Sequence, residues 1–190
     1  MGKEDDRLRT FIHAPKGIVV SCQDFMKYFC PVCENEINGF LSKRKRKNIC
    51  CPICGSLERH RTISLLIKKE NLLSDLNSKI LHIAPEKCFI NKFKKIYGEN
   101  YITADLNNPN VDVKMDITNI HQFPENYFNG VIISHVLEHI TDDIRALNEL
   151  YRVMAINSWL LISVPLKGQK TYEDNTIITS EDRKKHFGQH

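Results

Sequence analysis

Cys30-Pro31-Val32-Cys33 and Cys51-Pro52-Ile53-Cys54 set two thiol pairs near the front of a 190-residue chain. Seventeen residues separate Cys33 from Cys51, the spacing of a four-thiolate zinc site. Four sulfurs at about 2.3 Å close a tetrahedron around Zn²⁺ and leave no position for substrate, so the expected role is structural. Cys50 would make a looser knuckle with Cys54, and Cys51 is therefore the expected ligand. The remaining three of the seven cysteines, Cys22, Cys50 and Cys88, read as ordinary thiols. Met1–Arg9 is charged and lacks the apolar run of a secretory signal. No window approaches the roughly 18 apolar residues of a membrane span. These features point to a cytoplasmic protein with reduced thiols and disfavour disulfides.

A second set of chemistry-bearing residues lies further on, at the ends of apolar segments. Asp105 follows one such segment, placed to accept hydrogen bonds from the ribose hydroxyls of a nucleoside cofactor. Asp116 follows the next, where a carboxylate can take an exocyclic amine of adenine. Ser134 and His135 follow the longest segment, facing the reacting end of the cofactor. The bland alternative is that Asp105 and Asp116 merely cap turns. The first segment ends in Ile83-Ala84-Pro85-Glu86, without the glycines that let a pyrophosphate approach backbone amides. Glu86 at a helix start repels phosphate and favours a cation. S-adenosylmethionine (SAM), with an ammonium, a sulfonium and no phosphate, suits that loop. A nucleotide-dependent oxidoreductase is disfavoured for the same reason.

Two further patterns have a plain and a sharp interpretation. Lys43-Arg44-Lys45-Arg46-Lys47 is either a solvated loop tip or a phosphate-contacting finger for RNA. No aromatic residue interleaves it, so base stacking is unsupported. His135, Glu138 and His139 fall on one side of a helix starting there, which suits a metal or a general base. Local hydrogen bonding is the favoured account of them, with His135 as a wall of the reaction site.

The elements that must position these groups follow from periodicity. Residues 1–29 form an extension with a short strand at Gly17–Val20, and residues 30–56 the ribbon. Residues 57–78 form a connecting segment whose helix runs from Gly55 to about Leu73 on Leu57, Ile63, Leu65, Leu66, Ile67, Leu72 and Leu73. From residue 79 to 190 strands and helices alternate. Strands are expected at Lys79–Ile83, Tyr101–Ala104, Val111–Lys114, Phe128–Ser134 and Trp159–Val164. Helices are expected at Cys88–Tyr97, stopped by Gly98, at Asp142–Met154 and at Ser180–His186. Such alternation implies right-handed crossovers and an open parallel α/β sheet of Rossmann-like type. Net charge is +4, with seven basic against three acidic residues between Cys30 and Arg61 and equal numbers elsewhere. The positive excess thus belongs to the ribbon segment.

The run from KILHIAPE through ITADL, VDVKMDIT, VIISHVLEHI, ALNELYRV and WLLISVP resembles the class I SAM-dependent methyltransferases. More narrowly it is similar to those that write LHIAPE in place of the glycine-rich first motif, behind a cysteine-rich ribbon and a GSLERHR-like segment (Gly55–Arg61). The resemblance covers about residues 28–190. It implies SAM across the strand ends, with Ala84 and Glu86 at the methionine end and Asp105 with Leu106 on the ribose. It implies Asp116 with Ile117 beside adenine, and Ser134, His135 and Leu137 at the methyl-transfer mouth. Ala155-Ile156-Asn157-Ser158 replaces the usual Lys-Pro-Gly-Gly turn, and Asn157 is expected to take its left-handed position. The chain stops where related sequences continue into two more strands, which implies a C-terminally truncated sheet with Trp159–Val164 at an exposed edge. The expected function is methyl transfer to a small molecule, a glycan or RNA. The alternative is an inactive or truncated methyltransferase-like zinc-binding protein. Thr171–Asp174 resembles a lid or acceptor-binding loop.

Overall fold

The computed structural model describes residues 27–165, 174, 176–177 and 179–187. The strand expected at Gly17–Val20, Cys22, most of the Thr171–Asp174 loop and residues 188–190 lie outside them.

Two short hairpins open the described chain. β1 (Tyr28–Cys30) pairs antiparallel with β2 (Asn35–Ile37), and the first Cys-Pro-x-Cys knuckle turns between them. β3 (Leu41–Lys43) pairs antiparallel with β4 (Arg46–Cys50), which leads into the second knuckle. The basic run is the tip of this second hairpin, with Arg44 at φ 55°. α1 (Glu58–Lys69) follows. It is shorter than the apolar residues suggest. Its inward stripe is His60, Ile63 and Ile67, at i, i+3 and i+7, whereas Leu65 and Leu66 are exposed. Asn71, at φ 51°, lies just beyond its end.

The main sheet has five parallel strands in the order β7-β6-β5-β8-β9. They are β5 (Ile80–Ile83), β6 (Tyr101–Asp105), β7 (Val113–Lys114), β8 (Phe128–Ser134) and β9 (Met154–Ser163). β5 is central and buried along its whole length, as a doubly covered parallel strand must be. β7 is two residues shorter than expected because Asp112 turns its carboxylate to the backbone N–H and hydroxyl of Thr103. β9 starts earlier than expected, directly after the helix that precedes it. Phe128 pairs with Met154 and Gly130 with Trp159, so the segment between Met154 and Trp159 bulges out of register. Asn157 sits in that bulge at φ 63°, the left-handed conformation that the missing glycine turn required.

α2 (Lys87–Tyr97), α3 (Asp143–Val153) and α4 (Ser180–Phe187) complete the described elements. Alternation along the strands divides the core by face. On one face Ile80, Tyr101, Ile132 and Leu161 pack with Phe89 and Phe93 of α2 and with Ile63 and Ile67 of α1. Cys30, Val32, Ile37 and Cys51 belong to this same cluster, so the cysteine hairpins are built onto the sheet's own core. On the other face Leu81, Ile83, Ala104, Val131 and Ile133 pack with Ala146, Leu150 and Val153 of α3. Chain order reverses between β5 and β8, and ligands of open parallel sheets sit beyond the strand ends at such a switch. Among the described residues no helix is long and apolar enough to cross a membrane.

Candidate functional site

Two knuckles and their hairpins bring Cys30, Cys33, Cys51 and Cys54 together, with all four sulfurs within 4.8 Å of one another. Cys30 and Cys54 are 3.7 Å apart and Cys33 and Cys51 3.8 Å. A tetrahedron with 2.3 Å metal–sulfur bonds has edges of about 3.8 Å, so the donors have the spacing that zinc demands. Cys50 is turned away, its thiol against the Cys51 carbonyl. Ser56 Oγ lies 3.3 Å from Cys30 Sγ and 3.2 Å from Cys54 Sγ. Burial opposes ionisation of Cys30, but the Ser56 hydroxyl and the backbone N–H groups of Cys33 and Val32 hold its thiol down at about 6. Burial pushes the Cys54 thiol up to about 12. Burial raises the Cys33 thiol as well, and a bound cation would offset that cost of ionising sulfur.

The second site lies at the carboxyl ends of β5, β6, β7 and β8. Ala84 follows β5 at φ 47° and donates its N–H to Ala104 O at 2.8 Å. His135 follows β8 at φ 57°, and its N–H reaches Ser163 O at 2.8 Å. A left-handed backbone costs a residue with a Cβ about 1–2 kcal/mol. Alanine has no polar side chain to offset that cost, so neighbouring strands must impose the conformation. Strain of this kind collects at ligand sites.

Glu86 caps α2, and its side chain makes no bond to the helix N–H groups. Its Oε2 instead lies 2.9 Å from His82 Nε2, while His82 Nδ1 lies 2.7 Å from the Tyr101 hydroxyl. With the hydroxyl donating to Nδ1, the Nε2 proton is directed at the carboxylate. Burial alone would raise the pKa of Glu86, but the hydrogen bond and electrostatic pull of His82 outweigh it and hold the carboxyl below its usual range. Ser134 Oγ also lowers it, yet meets no hydrogen-bond geometry of its own. A partly buried, ionised carboxylate therefore stands where a dinucleotide fold would cradle phosphate.

Asp105 ends β6, with Oδ1 accepting from the N–H groups of Asn107 and Asn108 at 2.7 and 2.8 Å. Leu106 beside it is exposed. Asp116, beyond β7, is exposed and accepts from Thr118 N and Oγ1, both at 2.8 Å. Both aspartates thus hold their turns through one oxygen. Ile117 is buried in the α3-side core, and Leu137 packs against that core. No helix starts at His135. A 3-10 turn spans Leu137–His139, and His135 Nδ1 lies 3.2 Å from Glu138 Oε1. The one-sided His-Glu-His arrangement is therefore not formed, and His139 is exposed. Among the described residues the four cysteines form the metal-capable group.

Sequence inspection missed His60, His82 and Tyr101. Each is buried; His60 and His82 face Glu86, and the Tyr101 hydroxyl holds the other ring nitrogen of His82. The signal available was a histidine inside the apolar strand ILHI with a glutamate four residues later. An open groove of about 480 Å³ runs between the hairpins and α2, walled by Glu34, Ile53, Lys87, Asn91 and Lys92. It borders Cys33, Cys54 and Cys88 and none of the strand-end residues, so it does not mark the cofactor position.

Residues 73–162 match the family described as "Methyltransferase domain". Over 89 residues the chain is 34% identical to the ubiquinone/menaquinone biosynthesis C-methyltransferase UbiE of Vibrio cholerae, covering 37% of this chain and 34% of that protein. The Vibrio vulnificus counterpart is 33% identical over the same coverage. The chain thus spans about a third of the length of these relatives. Among solved structures, a SAM dependent methyltransferase from Aquifex aeolicus superposes with a TM-score of 0.39 at 15% identity, over 59% of this chain and 72% of that one. The trans-methyltransferase CalH, in complex with SAH, gives 0.37 at 16% identity, over 47% and 32%. Residues 73–162, which carry the five-stranded parallel sheet from β5 to β9, are thus similar to a methyltransferase domain.

Proposed function

We propose that this chain binds SAM across the ends of β5, β6, β7 and β8 and transfers its methyl group to a nucleophilic acceptor. The observation that carries this is the partly buried, ionised Glu86 carboxylate on a glycine-free loop, within a segment that matches the methyltransferase family. Bound SAM supplies a sulfonium methyl for in-line displacement and leaves as S-adenosylhomocysteine. Glu86 takes the ammonium of the methionine end, and Ala84 turns the backbone beneath it. Asp105 and Leu106 hold the ribose, and Asp116 with Ile117 borders the adenine. Ser134, His135 and Leu137 wall the mouth through which the acceptor approaches. Orientation and exclusion of water then supply much of the rate.

The cysteine cluster holds one Zn²⁺ as a structural ion, supported by its sulfur spacings. For the acceptor, the exposed Lys43–Lys47 tip favours RNA over a small molecule or glycan to the extent that it binds polyanions. Retention on heparin at moderate salt, abolished by neutralising that tip, supports RNA; no retention counts against it. Calorimetric titration of the full chain with SAM tests the main proposal. Saturable one-to-one binding is expected. A folded, zinc-loaded chain that gives no heat with SAM or S-adenosylhomocysteine overturns it and leaves a non-catalytic zinc protein.

A further inference from the structure

His60 lies in the first turn of α1, outside the matched methyltransferase domain, yet its ring reaches the loop after β5. Its side chain is 8% exposed, and Nε2 stands 3.9 Å from Glu86 Oε1. That separation is too long for a hydrogen bond. The proton can be placed on the ring by elimination. Nδ1 accepts the Leu57 N–H at 3.1 Å. The Cys88 thiol also faces Nδ1 at 3.3 Å, and burial pushes that thiol up to about 12, so it stays a donor. Nδ1 is thus an acceptor twice over, and the neutral ring carries its proton on Nε2. Burial holds the imidazole down at about 4, so neutrality is its state at physiological pH.

The Nε2–H is buried and has no partner among the described residues. Ser134 Oγ, close enough to Glu86 to lower its pKa, is buried and likewise meets no full hydrogen-bond geometry among the described residues. Two such groups around one carboxylate mark a place where a ligand completes the hydrogen bonding. A donor and a carboxylate side by side, about 4 Å apart, are complementary to an α-amino-acid zwitterion. Resting on the SAM assignment above, we propose that His60 donates its Nε2–H to the carboxylate of the cofactor's methionine end, beside Glu86, which takes the ammonium. The hairpins hold α1 for this task. Arg61 Nη1 donates to Ile49 O at 2.9 Å, and Ser64 Oγ donates to Pro31 O at 2.8 Å. The cysteine module thereby carries a cofactor-binding residue into the sheet's site.

Two nucleosides that differ only at the amino-acid end test this: S-adenosylhomocysteine and 5′-methylthioadenosine. The full, zinc-loaded chain is titrated with each by calorimetry. His60→Asn keeps an acceptor for the Leu57 N–H and loses the distal donor. It is expected to weaken S-adenosylhomocysteine by about tenfold or more and methylthioadenosine by less than about twofold. His60→Gln, whose amide reaches the Nε2 position, is expected to restore most of the lost ratio. If His60→Asn weakens both ligands equally or neither of them, or if His60→Gln loses as much of the ratio as His60→Asn, the proposal is overturned. A wild-type chain that binds neither nucleoside overturns the SAM assignment and this inference with it.

Discussion

Asp105→Asn separates a carboxylate that holds its own turn from one that holds a ligand. Oδ1 already accepts two backbone N–H groups, at 2.7 and 2.8 Å. Asparagine keeps that carbonyl oxygen in the same place, so the turn survives and stability changes by less than about 1 kcal/mol. What disappears is the negative charge and the second oxygen as an acceptor for the ribose hydroxyls. A hydrogen bond to a charged acceptor contributes about 1.5–3 kcal/mol. At 1.4 kcal/mol per decade that loss weakens binding by about 10- to 150-fold. Asp105→Ala removes the turn's acceptor as well and should cost about a further 1 kcal/mol of folding stability. Calorimetry with S-adenosylhomocysteine reads the affinity, and urea unfolding of both variants reads the stability. Affinity within twofold of wild type in Asp105→Asn refutes the ligand role. An equal loss of stability in both variants refutes the division of labour between the two oxygens.

Zinc removal should lower the thermal midpoint of the whole described core, because Cys30 and Cys51 share it with Ile63, Ile67, Phe89 and Phe93. Elemental analysis is expected to find one zinc per chain, lost with Cys54→Ser; an unchanged midpoint after complete chelation refutes the coupling. Acid should destabilise the protein through His60, whose pKa falls from 6.5 to about 4 on burial despite the opposing pull of Glu86. The unfolded chain then binds the extra proton, so stability is full above about 6.5 and declines as pH falls toward 4, by at most roughly 3 kcal/mol. Glu86, held below its usual range, adds loss of the same sign at lower pH. Urea midpoints across that window check it, and a His60→Asn profile identical to wild type counts against His60 as the source. Gly130→Ala should cost about 1–3 kcal/mol, because a Cβ there would overlap the indole of Trp159 on the paired strand. An unchanged urea midpoint would show that Trp159 moves aside freely.

Local rules were enough for much of this protein. The Cys-Pro-x-Cys knuckles are short turns, so their spacing announces a four-sulfur cluster before any fold is known. Phe128–Ser134 is almost continuously apolar, as a buried parallel strand should be, and its strand has those bounds. The left-handed position of Asn157 was also expected, from the resemblance to sequences with a glycine turn there, and asparagine tolerates that conformation. Three features were decided by contacts between distant segments. α1 presents His60, Ile63 and Ile67 inward and leaves Leu65 and Leu66 exposed, because the sheet and the hairpins choose its face. His135 opens a 3-10 turn instead of a helix, with its N–H drawn to Ser163 on the neighbouring strand. His60, His82 and Tyr101 are scattered in sequence, and only parallel register and helix packing gather them around Glu86. Sequence patterning reports which groups seek burial or solvent, whereas the partner that a buried polar group finds is set by three-dimensional packing.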